Sequence, residues 1–77
     1  MPHQQLIKTA AQVFRVPEES LTLETGMGDI EAWDSLGHLR LMMEIEQEFA
    51  VQFSTEQLRQ LTSLSEIWEA LPEKERN

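Results

Sequence analysis

The chain has no cysteine among its 77 residues. That removes disulfides, thiolate nucleophiles and cysteine-based metal sites at once. Histidine is scarce as well. His3 and His38 are the two imidazoles, far apart in sequence, so no zinc site is expected; both rings are expected at the surface or half-buried. Basic residues are few: six Lys and Arg face fourteen Asp and Glu, for a formal net charge of −8. No electropositive footprint is left for nucleic acid or for an anionic membrane surface. No apolar run approaches the roughly 20 residues of a membrane span. The N-terminal residues lack the basic segment and apolar stretch of a secretory signal. The expectation is one small, soluble, cytoplasmic and monomeric domain, with a limited core, that attracts basic surfaces on other proteins.

Proline and glycine, three of each, punctuate the chain. Over residues 4–15, Leu6, Ile7, Ala10, Ala11, Val13 and Phe14 recur at helical spacing. Pro2 suits the first turn, and Pro17 disfavours helix at Val16 and so marks the end. Residues 17–34 keep no period: Ser20, Thr22, Thr25, Gly26, Gly28 and Asp29 break it. Leu21, Leu23, Met27, Ile30 and Trp33 are expected to anchor this long loop across the domain. A turn of helix is expected near residues 27–30. A structureless loop of this length is uncommon and is often functional.

Residues 35–50 make the strongest helix. Gly37, Arg40, Glu44, Gln47 and Glu48 fall on a polar side. Leu36, Leu39, Leu41, Met42, Met43, Ile45 and Phe49 occupy an apolar arc wider than a surface helix needs. Such a helix either packs on more than one neighbour or keeps apolar surface for a partner; Met42 and Met43 are read as core filling. Residues 51–53 read as an extended connector. Ser54-Thr55-Glu56-Gln57 is a capping box before a short helix with Leu58 and Leu61. Ser63-Leu64-Ser65-Glu66 is a second box. It opens a last helix carrying Leu64, Ile67, Trp68 and Leu71, which Pro72 stops; residues 73–77 read as a frayed charged tail.

Catalytic sets are not evident. Ser35 and His38 are one turn apart, without the third member or the strained elbow of a serine hydrolase. Carboxylates lie on solvated faces, with no cleft to tune them for acid–base work. Asp29, Glu31 and Asp34 lack the register of a calcium loop. Ser35 therefore has two compatible readings. Asp34 or Ser35 caps the long helix, and the Ser35 hydroxyl is an accessible attachment point where a phosphodiester would meet free amides and the positive end of the helix dipole. Asp34 beside it would orient the hydroxyl or hold a modifying enzyme's divalent metal. Trp33 is a loop anchor or a partner contact. Gly37 is either tolerated near a helix end or needed to keep the surface clear for an arm or a docking enzyme.

Asp34-Ser35-Leu36 opens the long helix after an acidic loop and is followed by Ile45-Glu46-Gln47-Glu48-Phe49, Phe53-Ser54 and Leu64-Ser65-Glu66-Ile67. On these motifs, across residues 6–71, the chain resembles the acyl carrier proteins of the phosphopantetheine-binding superfamily. The resemblance implies an all-α four-helix bundle: three main helices, a short third helix and a long first loop, as one carrier domain over residues 1–77 with an ordered core of about 4–71. It implies no catalysis. Ser35 would take a 4'-phosphopantetheine arm from coenzyme A through a phosphopantetheinyl transferase, with Asp34 and Leu36 completing the motif. The arm's thiol would carry acyl or aminoacyl groups between loading ligases, synthases and transferases, which explains a carrier without cysteine. Leu39, Met43 and Ile67 would line a space for cargo.

By the same resemblance, the helix after Ser35 is the recognition surface. Trp33, Gly37, His38, Arg40, Glu44 and Glu48 are its candidate partner-binding residues, with Glu46 nearby. Housekeeping fatty-acid carriers usually have acidic residues where Gly37 and Arg40 stand. The departure is similar to discrete carriers of specialised pathways, such as polyketide, lipid, surface-glycan or aminoacyl assembly. The alternative is a small acidic helical interaction module without a prosthetic group.

Overall fold

A computed structural model describes residues 3–72; Pro2 and the charged residues 73–77 lie outside the described residues. The elements are α1 (Gln4–Phe14), a short 3-10 turn (Glu18–Ser20), α2 (Ser35–Phe49), α3 (Thr55–Gln60) and α4 (Leu64–Ala70). This is the all-α, four-helix arrangement with a long first loop and a short third helix. Leu6, Ala10 and Phe14 of α1, Leu41, Met42, Ile45 and Phe49 of α2, and Leu64 and Ile67 of α4 form one core with Leu21, Trp33 and Leu71. The three longer helices thus bury one apolar face each, while α3 has no buried residue.

Helix ends follow local chemistry. Both α1 and α2 stop at a residue in the left-handed region, Arg15 (φ 59°) and Ala50 (φ 54°). Their amides return to Ala11 and Glu46 respectively, which satisfies carbonyls that a helix end leaves open. The Ser54–Gln57 capping box is present in both directions. The second box is half-formed. Ser63 Oγ accepts the Glu66 amide at 3.2 Å, but Glu66 Oε1 takes the Thr62 amide at 3.2 Å and the Ser63 hydroxyl at 3.1 Å.

The loop differs from expectation in one respect. Its helical turn sits at Glu18–Ser20, where Pro17 presets the entry. Residues 27–30 form tight turns instead. Gly28 has φ 91° there, which no helix accommodates, and Asp29 Oδ2 takes the Gly26 amide at 2.8 Å. The loop is otherwise tied down as its scattered apolar residues predict. Met27 N–H donates to the Thr62 carbonyl, Leu64 N–H to Thr25 and Ser65 N–H to Leu23, at 2.8–3.0 Å. These bonds seat residues 23–27 against the α3–α4 junction and deliver the chain to the start of α2.

Candidate functional site

The start of α2 is built from three neighbours with separate tasks. Asp34 has extended backbone, and its Oδ1 accepts the Gly37 amide at 2.8 Å. It is the cap, worth about 1 kcal/mol in typical helices. Ser35 follows as the first helical residue; it is exposed, and its hydroxyl has no hydrogen-bond partner among the described residues. Leu36 is 60% exposed. The cap and the accessible hydroxyl are therefore adjacent residues rather than one.

Trp33 anchors this corner from below. It is fully buried and stacks on Phe14, with ring centroids 5.2 Å apart. His38 lies at the N–H edge of the indole, its ring tilted by 15° and its centroid 6.1 Å away. The Trp33 indole N–H donates to His38 Nδ1 at 3.0 Å, and His38 Nε2 meets the Leu58 carbonyl at 2.8 Å. His38 is only 7% exposed. With both ring nitrogens engaged it is not a base for Ser35, and the third member of a triad is missing as well.

Trp33, Gly37 and His38, three of the residues expected to face a partner, are buried. They shape the start of α2 from within. Gly37 has a concrete structural reason to be glycine. A Cβ there would collide with the Ala32 carbonyl, because the loop's last residues press directly on the first turn of α2. His38 is also neither at the surface nor half-buried, because Trp33 and Leu58 enclose and satisfy it.

Arg40 and Glu48 are exposed and Glu44 is half-buried, so the polar side of α2 holds these three. Glu46 is half-buried and accepts the Phe53 amide at 2.9 Å. The wide apolar arc divides. Leu41, Met42, Ile45 and Phe49 enter the core, while Leu36, Leu39 (46%) and Met43 (60%) remain exposed. Reading Met42 and Met43 together as core filling holds for Met42 alone. The exposed three surround Arg40 in sequence and give α2 a mixed apolar and cationic outer face.

A groove of about 430 Å³ runs beside Ser35. One wall is Ser35, His38, Leu39 and Met42 of α2; the other is Thr55, Leu58 and Arg59, with Met27 closing one end. Of Leu39, Met43 and Ile67, only Leu39 lines this groove. Met43 points away to the solvent side beside Val13 and Arg40, and Ile67 is in the core. The contributions of Met27, Thr55 and Arg59 have no periodic signal in the sequence. Their proximity to Ser35 depends on how the loop and α3 fold back. No cluster of three or more metal-ligating side chains exists among the described residues, and no described helix is long and apolar enough to cross a membrane.

The family model described as a phosphopantetheine attachment site matches residues 4–71. An acyl carrier protein of Coprothermobacter proteolyticus (strain ATCC 35245 / DSM 5265 / OCM 4 / BT) is 31% identical over 64 residues, covering 83% of this chain and 78% of that protein. The match spans the whole bundle, from the first residue of α1 to the residue that follows α4, and includes Ser35 at the exposed start of α2. The chain therefore belongs to the phosphopantetheine-attachment family of acyl carrier proteins, whose members are non-catalytic carriers.

Proposed function

We propose that Ser35 is the residue that takes 4'-phosphopantetheine, and that the chain presents acyl or aminoacyl groups on that arm to partner enzymes. The observation that carries this is the division of labour between Asp34 and Ser35. Asp34 satisfies the Gly37 amide, so the fold makes no demand on the Ser35 hydroxyl. The residues present fit the group. A phosphodiester at Ser35 would lie against the first amides of α2, which have no intrahelical acceptor, at the positive end of the helix dipole. When bound, the arm supplies a terminal thiol that holds cargo as a thioester.

The remaining roles belong to the chain's own side chains. Asp34 keeps the first turn of α2 formed, which holds the Ser35 oxygen outward. Leu36, adjacent and largely bare, offers an apolar contact for the modifying transferase. The groove of Met27, Leu39, Met42 and Leu58 gives the proximal arm a dry wall beside its attachment point. On the outer face, Arg40 between Leu36, Leu39 and Met43 favours enzymes that present apolar and acidic groups, and works against those that expect a carboxylate there. Glu44 and Glu48 supply the negative side for basic groups. This combination supports service in a specialised pathway of a cytoplasmic carrier, with ligases, synthases or transferases as loading partners. Tethering raises the effective concentration of cargo at each partner in turn.

The test is incubation with coenzyme A, magnesium and a phosphopantetheinyl transferase of broad specificity. Wild type gains the mass of one arm and Ser35→Ala gains none. Absence of modification, with the protein shown to be folded, rejects the reading in favour of a binding module without a prosthetic group.

A further inference from the structure

Two side chains of α2 reach across to the segment that follows it. Glu46 Oε2 accepts the Phe53 amide at 2.9 Å, just ahead of α3. His38 Nε2 meets the Leu58 carbonyl at 2.8 Å, within the second half of α3. The two contacts start eight residues apart on α2, about 12 Å along its axis, and so hold α3 at both ends. This matters because α3 has six residues, none buried. A helix so short does not persist alone.

The bonding pattern fixes the state of the His38 ring. An indole N–H is a donor only, so Nδ1 accepts from Trp33 and Nε2 carries the proton toward Leu58. The Leu58 carbonyl needs that donor. It is one of the last carbonyls of α3, without an intrahelical partner, and the Thr62 amide that would serve it in a longer helix donates to Glu66 instead. Ser35, His38, Leu39 and Met42 stand at i, i+3, i+4 and i+7, on one stripe of α2. That stripe is one wall of the groove, and Leu58 is on the other. The His38–Leu58 bond spans the groove one turn from Ser35.

We infer that His38 is a positioning residue: as the neutral Nε2–H tautomer it latches α3 onto α2 and so sets the width of the groove beside Ser35. Its functional meaning rests on Ser35 being the attachment point, but the latch is a property of the unmodified protein and is tested there. The tautomer is read at neutral pH from the ring nitrogen resonances of ¹⁵N-labelled wild type. Amide exchange is then compared in wild type, His38→Ala and His38→Gln. The glutamine amide can accept from Trp33 and donate to Leu58.

The expected result is an Nε2–H ring in wild type. His38→Ala should exchange faster at the Leu58 and Leu61 amides by about tenfold or more, the scale of leaving a half-buried acceptor unmade. The core of α1 should be affected less, and His38→Gln should recover most of the protection. A wild-type Nδ1–H tautomer overturns the inference. So does unchanged α3 exchange in His38→Ala, or an equal loss across all helices that glutamine does not rescue. If the alanine variant fails to fold, the wild-type tautomer and the glutamine variant decide. Failure of Ser35 to accept an arm would count against the carrier reading and leave these measurements unaffected.

Discussion

Asp34 Oδ1 accepts the Gly37 amide at 2.8 Å, across Ser35 and Leu36. That bond is what makes Ser35 dispensable to the fold. A serine serving as its own helix cap would trade capping for accessibility. Here the preceding carboxylate takes the capping role, and the serine oxygen remains exposed at the first helical position.

Removing the cap separates the two roles. Asp34→Ala should lower stability by about 1 kcal/mol in urea unfolding, and should slow transferase modification by more than the loss of folded protein explains. Ser35→Ala should change stability by less than about 0.5 kcal/mol, as for a surface substitution without a structural task. An equal stability loss in both variants would show that the serine shares the capping.

Gly37 is the position at which a single methyl group does most harm. Gly37→Ala places its Cβ on the Ala32 carbonyl, so either the loop or the first turn of α2 must move. The expected cost is about 1–3 kcal/mol, the range for overpacking a tight site. Chemical-shift changes should centre on residues 32–38. A variant as stable as wild type, with unchanged shifts, would contradict the close approach.

Ala50 is strained in the opposite sense. It ends α2 at φ 54°, a region that costs an L-residue about 1 kcal/mol or more and glycine almost nothing. Ala50→Gly should therefore raise the midpoint of urea unfolding, by an amount corresponding to about 0.5–1 kcal/mol after the entropic cost of glycine. A lower midpoint would place the end of α2 elsewhere.

Arg40 tests the outer face. It is exposed and outside the core, so Arg40→Glu should leave stability within about 0.5 kcal/mol. The same change should speed modification by transferases with a basic docking patch and increase the salt sensitivity of that rate. Equal rates for wild type and variant at low salt would remove Arg40 from the docking surface.

The sequence made some elements legible because their causes are local. The bounds of α2, the Ser54–Gln57 box and the stop at Pro72 follow from capping chemistry and periodicity within a few residues. The buried state of His38 does not. It depends on Leu58, twenty residues away, and on a Trp33 that the loop returns to the core. The same holds for Gly37, whose constraint comes from the Ala32 carbonyl and not from the helix wheel. The helical turn of the loop was displaced because Pro17 acts on the residues after it, whereas the Gly28 turn is set by long-range bonds to the α3–α4 junction. The apolar arc of α2 was visible as too wide. Which of its residues stay exposed was decided by the packing of α1 and α4.

The most direct measurement is peptide mapping after modification with coenzyme A and a phosphopantetheinyl transferase. The chain has five serines, Ser20, Ser35, Ser54, Ser63 and Ser65. Fragmentation should place one arm on Ser35 and none on the other four. An arm on another serine, or a folded protein that accepts none, would contradict the account.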